Sequence, residues 1–430
     1  MSMNVWLPIL VIVVCILLKM PIFYSLMTGS LTYFLLMHGL PHQIMVQRLL
    51  AITETSSQLA IPFFITAGCI MNYCGISKRL LDFAEGLVGH LTGGLAHVNV
   101  LVSVMMGGIS GSAAADAASD CKLLVPEMIR RGYDKDFSAS ITIASSMITP
   151  IIPPGIGLII YATTVGVSTG RIFAAGYVPG FLMAVAFMIY CAYVSKKRGY
   201  KPTRQKMASL SEMKDLFVAA FSALLIPFGI ILALRFGVFT ATEAGAVLAW
   251  YAIFVGAFIY KELKWEHVWP ILKEATISTA VVMLMICAAN SLTYFFTYER
   301  IPNLLTSWLL SMNLNKYTFM LLVNVLLLIV GMFMDGSAPL IILAPLLAPV
   351  AVSLGIDPIH FGIVFCVNVA LGNMTPPFGI VLYQVGGLLD VDLVTLSKGV
   401  FPFILLMLAI LLLISYVPWL VLAVPNLIYG

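Results

Sequence analysis

Charge is what this chain has least of. Asp, Glu, Lys and Arg make up 10% of its 430 residues, where a soluble domain carries about a quarter. Extended polar stretches are almost missing as well; the one long example is 195–215. The six His, at 38, 42, 90, 97, 267 and 360, form no H-E-x-x-H, and the carboxylates do not cluster, so metal hydrolysis has no support. The seven Cys, at 15, 69, 74, 121, 191, 287 and 366, make no C-x-x-C pair and sit mostly in apolar runs. They read as buried thiols packing as small hydrophobes. No basic face interleaved with aromatics appears, and a net charge of +4 is modest, which argues against nucleic acid. The first residues lack a basic start and an A-x-A site, so Met1–Leu18 is expected to be a first span and not a cleaved signal.

Apolar runs fill the space left by those absences. Hydrophobic residues are 61% of the chain and the mean hydropathy is +1.04. The runs are continuous and lack the period-two alternation of a membrane barrel. The expected fold is an all-α polytopic membrane protein.

Spans are expected at 3–18, 22–38, 58–74, 137–168 and 171–194, then at 216–236, 241–260, 277–296, 358–389 and 400–422. Two further apolar stretches, 93–131 and 317–353, have halves too short for a full crossing and read as re-entrant hairpins. Residues 42–55 and 262–275 mix polar and apolar side chains at helical spacing, as in-plane arm helices do, and 301–312 reads as a short surface helix. The division is 1–194, a linker at 195–215, and 216–430. Each half then has about five spans, one hairpin and one broken helix. The linker holds Lys196, Lys197, Arg198, Lys201, Arg204 and Lys206, and basic loops stay cytoplasmic. Counting from it puts the first hairpin's basic ends inside and the second hairpin's ends outside: an inverted repeat.

The chain is organised around its helix breaks. GGISGSAAADAASD (107–120) and TPIIPPGIG (149–157) recur in the second half as GMFMDGSAPL (331–340) and GNMTPPFG (372–379). Gly weakens helical backbone, and Pro removes a donor and clashes with the preceding turn. In lipid each unpaired backbone group costs several kcal/mol, so a break survives only inside protein or beside a polar cavity. Paired interruptions in corresponding places point to a transporter's binding site. The breaks carry Ser110, Ser112 and Thr149 in one half and Ser337, Asn373 and Thr375 in the other. These hydroxyls and amides, with carbonyls freed by Gly and Pro, suit a small cation; helix N-termini at the same places suit an anion. The plainer alternative is that Ser and Thr cap helix ends or bond back to the chain. Ser145, Ser146, Pro153, Asn290 and Pro376 are candidate linings of a solute cavity; Asn290 and Ser291 read equally as polar glue between helices. Asp116 stands open between a capping and a functional role, and Glu243, after Thr240, reads as a cap.

Rival classes make different demands. Gly108-Ile109-Ser110-Gly111 matches the G-x-S-G of rhomboid-type intramembrane proteases, but no His falls where a base is needed. A channel also uses unwound backbone and remains an alternative.

LAIPFFITAGCIMNYCGISKRL (59–80), SGSAAADAA (110–118), TPIIPPG (149–155), FTATEAGAV (239–247), GMFMD (331–335), DPIHFGIV (357–364) and TPPFG (375–379) together resemble the large membrane subunit, DctM-like, of tripartite ATP-independent periplasmic (TRAP) transporters. The resemblance covers essentially the whole chain. It implies a non-enzymatic, sodium-coupled importer of the bacterial inner membrane, in which hairpins and broken helices move as an elevator against a scaffold of the other spans and arms. It implies two partners, a small four-helix membrane subunit and a periplasmic substrate-binding protein that delivers an organic acid: a C4-dicarboxylate, sialic acid, sugar acid or keto acid. No cofactor is implied beyond sodium as coupling ion. The family's sodium sites map onto Ser110, Gly111, Ser112, Thr149 and Pro150, and onto Asp335, Gly336, Ser337, Asn373 and Thr375. A stand-alone sodium–carboxylate symporter of similar architecture is the second reading.

Overall fold

The structure is a computed structural model that describes residues 3–18, 20–37, 43–301, 304, 307, 315–334 and 336–430. The expected surface helix at 301–312 lies almost wholly outside them. The described residues are helices and connections, because in hydrocarbon only a helix satisfies its own amides and carbonyls. Among the described residues, six helices are long and apolar enough to cross a membrane: Thr169–Arg198, Leu210–Arg235, Ala241–Ile259, Trp265–Tyr298, Lys316–Phe333 and Leu393–Tyr416.

The first half begins with the antiparallel pair α1 (Met3–Leu17) and α2 (Ile22–Leu36), then the amphipathic α3 (Gln43–Ala51). Next, α4 (Ala60–Tyr73) meets α5 (Ile76–Val88) at a 70° bend, where Gly75 takes the left-handed conformation at φ 70°. The sequence reading ended its third span near Lys78 and missed α5, whose polar face interrupts the apolar signal. The hairpin is α6 (Gly94–Gly107) and α7 (Ala113–Leu123), extended by α8 (Val125–Arg130). The broken helix is α9 (Lys135–Ser146) and α10 (Ile156–Val165); α11 (Thr169–Arg198) closes the half.

The second half repeats this order after the linker. α12 (Leu210–Arg235) and α13 (Ala241–Phe254) precede α14 (Val268–Tyr298). Thr240 and Glu243 form a capping box at the start of α13, as their spacing predicts. The amphipathic stretch 262–275 is not a separate helix: most of it runs straight into the following span as one 31-residue helix. No Gly or Pro lies between the two to break it; Pro270 falls in the first turn, where Pro is tolerated. The second hairpin is α15 (Lys316–Phe333) and α16 (Ser337–Ser353), and the second broken helix is α17 (Pro358–Met374) and α18 (Ile380–Leu389). The expected last span ends sooner. α19 (Leu393–Tyr416) stops before Pro418, which opens α20 (Pro418–Tyr429).

Contacts separate the molecule's two ends. At one end, Arg79 pairs with Glu262 at 2.7 Å, Arg198 pairs with Asp134 at 2.6 Å, the Thr203 amide donates to the Gly89 carbonyl at 2.8 Å and Lys135 donates to the Asp390 carbonyl at 3.2 Å. At the other, Tyr161 donates to the Pro358 carbonyl at 2.8 Å, Arg171 to Asn426 at 3.1 Å and Tyr416 to the Tyr317 carbonyl at 3.5 Å. α19 joins the two ends, its 24 residues spanning roughly 36 Å. The first hairpin therefore opens at the end holding the basic linker, and the second at the opposite end. The two halves are inverted.

Candidate functional site

Each hairpin turns on a Gly-Ser pair. In the first, α6 ends at Gly107 and the chain turns through Gly108–Ser112. Gly111 has φ 58°, and a Cβ there would meet the Pro154 carbonyl oxygen at 2.5 Å; both facts require glycine. Ser112 caps α7, its hydroxyl accepting from the Ala115 amide. The Ser110 hydroxyl donates to the Met106 carbonyl at 3.5 Å. The Ile156 amide donates to the Gly111 carbonyl at 3.4 Å, tying the tip to the neighbouring helix break.

The breaks lie beside the tips. Between α9 and α10 the Thr149 hydroxyl donates to Asp116 at 2.8 Å, so it holds the hairpin from within. Asp116 is fully buried, and its second oxygen has no protein partner among the described residues. In the second break the Thr375 hydroxyl bonds back to the Leu371 carbonyl at 2.6 Å. The buried side-chain oxygen of Asn373 has no protein partner among the described residues. Of the second tip, Gly336 and Ser337 are described and Asp335 lies outside the described residues.

A cavity of about 400 Å³ opens between these parts. One wall is Ser110, Gly111, Ser112 and Pro150 from the first half with Gly336, Ser337 and Asn373 from the second. The facing wall comes from α4 and α14, including Asn72, Glu274 and Ser278. Seven of the candidates are thus brought together around one space. Thr149 and Thr375 are turned into the protein and are not among its linings. Nor are Ser145, Ser146, Pro153, Asn290 or Pro376. Ser145 donates to Asn99 at 2.5 Å, Ser146 bonds back to Ile143, and Asn290 donates to the Arg48 carbonyl at 2.5 Å, joining α14 to α3. Ser291 meets Ser30 at 2.6 Å. For Ser145, Asn290 and Ser291 the plainer reading, glue between helices, describes what is seen, and Ser146 bonds back to its own helix. No His lies among the described residues that line the cavity with Ser110.

Residue-type reasoning missed the polar pins behind the site. Asn99 on α6 donates to Thr142 on α9 at 2.9 Å. In the other half Asn368 on α17 donates to Asn324 on α15 at 3.0 Å, and Asn324 to Ser415 at 2.9 Å. The signal was present: aligning Gly111-Ser112-Ala113 with Gly336-Ser337-Ala338 superposes Asn99 on Asn324. Asn72 and Glu274 were missed because they sit outside the breaks, on the facing wall.

Comparisons with known proteins point to one family and to a transporter fold. Residues 9–420 match the model of the family described as "Tripartite ATP-independent periplasmic transporter, DctM component". The chain is 38% identical over 411 residues, 96% of each chain, to the sialic acid TRAP transporter large permease protein SiaM of Vibrio cholerae. It is 38% identical over 376 residues to the 2,3-diketo-L-gulonate TRAP transporter large permease protein YiaN of Escherichia coli, covering 87% of this chain and 88% of that one. In fold it is similar to the YdaH transporter of Alcanivorax borkumensis, with a TM-score of 0.65 and 16% identity over 96% of this chain and 98% of that one.

Proposed function

The chain belongs to the DctM component family of tripartite ATP-independent periplasmic transporters, and from that premise we infer that it imports an organic acid with sodium across a bacterial cytoplasmic membrane. The observation that carries the site is the cavity between two tips, lined by Asn373, whose buried side-chain oxygen has no partner among the described residues. Neutral oxygens beside opened helix backbone suit sodium. The adjoining N-termini of α7 and α16 present amides to a carboxylate.

The basic end supports a cytoplasmic placement for the linker. The solute class is that of the relatives: organic acids such as sialic acid, 2,3-diketogulonate or a C4-dicarboxylate. A periplasmic binding protein delivers it, and a small membrane subunit completes the transporter. The cavity's construction supports an elevator, in which hairpins and broken helices travel together past α4 and α14.

The test is uptake of these acids by the chain reconstituted with both partners, under sodium and potassium gradients in turn. Sodium-driven uptake is expected, with Asn373→Ala, Ser112→Ala and Ser337→Ala needing more sodium for half-maximal rate. Uptake indifferent to sodium in parent and variants overturns the coupling. Uptake without the binding protein favours the stand-alone symporter. For the elevator, a cysteine at Ala113 should be trapped against two scaffold positions several turns apart, one per access state; a single depth in both states refutes it.

A further inference from the structure

The described linings of the cavity's two walls differ in charge. On the tip wall they are uncharged: Ser110, Ser112, Pro150 and Asn373 are small or polar, and Ser110 and Asn373 are buried. On the facing wall Glu274 stands on α14, one turn before Ser278. Among the described residues lining the cavity, Glu274 alone is charged, and no Lys or Arg lines it. Glu274 and Ser278 are exposed. Glu274 forms no ion pair among the described residues. Lys273 precedes it, but successive helical residues point about 100° apart, and Lys273 does not line the cavity.

A carboxylate here is at odds with an anionic cargo. Like charges repel, and a cleft with low-dielectric walls concentrates the field. The same field draws cations in. An ionisable residue in a span that faces a cavity is a functional candidate by default.

We propose that Glu274 is a specificity-determining release residue, whose charge makes this access state admit cations and expel an organic anion. The proposal rests on the anion-and-sodium reading above. Glu274 belongs to the wall opposite the tips. When the tips move relative to α14, the anion leaves the reach of Glu274, and it meets that charge in one access state only. An anion bound without its sodium ions is then disfavoured on the side where Glu274 stands, which hinders back-transport.

Two measurements test this, both in the reconstituted full-length chain with its partners. The first reads the field without any solute. A cysteine at Ser278 should react faster with a cationic methanethiosulfonate (trimethylammonium-ethyl) than with an anionic one (sulfonato-ethyl). Adding Glu274→Gln should lower that rate ratio by about 5- to 10-fold at low ionic strength, and by less at high salt. An unchanged ratio overturns the proposal. The second reads release. For whichever of sialic acid, 2,3-diketogulonate or succinate the parent takes up, the internal concentration that halves influx should fall several-fold in Glu274→Gln. An unchanged value overturns the release role. If the parent takes up none of the three, those cargoes are refuted and the reagent ratio decides alone: a ratio that responds upholds the field of Glu274, and an unchanged one overturns the proposal.

Discussion

Replacing Gly372 by alanine should loosen the second half of the site. α15 and α17 touch backbone to backbone at Gly331 and Gly372. A Cβ on Gly372 would stand 2.6 Å from both the Cα and the carbonyl carbon of Gly331. Those atoms belong to a helix and cannot rotate away, so the helices must separate. Overpacking of this kind costs about 1–3 kcal/mol. Alanine also gains about 1 kcal/mol of helix propensity over glycine. Gly387 supplies the control: it too is helical, and a Cβ there meets nothing within 4 Å. The propensity gain is common to both, so the difference between Gly372→Ala and Gly387→Ala isolates the steric cost of about 1–3 kcal/mol. Thermal unfolding of the purified variants in detergent should place Gly372→Ala below the parent or level with it, and Gly387→Ala at or above it. Because Asn373 follows Gly372 into the cavity, uptake should fall in Gly372→Ala at normal membrane expression. Equal stability and full transport in both variants would refute the close-packing argument.

Gly111→Ala should cost about 1–2 kcal/mol from the left-handed backbone alone, with the Pro154 contact added, and should abolish uptake; an active variant would show that the first tip tolerates another shape. In a double-mutant cycle, Asn99→Ala and Thr142→Val should show a coupling of about 0.6 kcal/mol, whereas a coupling indistinguishable from zero removes that pin. The Asp134 carboxyl is held below the ordinary value of 3.8, first by the hydrogen bond from the Tyr200 hydroxyl and then, against some desolvation, by Arg198. A lowered carboxyl stabilises the fold above its unfolded-state value and loses that contribution as pH falls through the folded one. The melting difference between parent and Asp134→Asn should accordingly be constant above about pH 5 and shrink below 3.8; a difference that grows on acidification contradicts the sign. Cysteines at Lys201 and Tyr317 should label from opposite faces of the membrane, six of the native thiols being buried; labelling from one face ends the inverted arrangement.

The helix breaks were legible because they follow from local backbone chemistry. Gly108, Gly111, Pro150, Pro153 and Pro154 interrupt a helix whatever packs around them, and their counterparts repeat in the second half. The membrane class followed from composition, and the arrangement of the two ends from where the basic residues fall. α5 and the continuous α14 were hidden for a related reason. An amphipathic segment looks like an interruption to a reading based on apolar runs, although its backbone is as helical as its neighbours'. The sequence by itself therefore determined the membrane-spanning class, the doubled architecture and the places where helices open, since each depends on residues close in the chain. Only the tertiary structure decided which polar groups face the cavity. Ser110, Ser112, Ser337 and Asn373 do, while Thr149 turns to Asp116 and Thr375 to its own helix. A side chain's direction depends on what lies against it, and Asp116, 33 residues from Thr149, reaches it only when the hairpin folds against the broken helix. Glu274 acquires its meaning in the same way, because α14 faces the tips only once both halves have packed together.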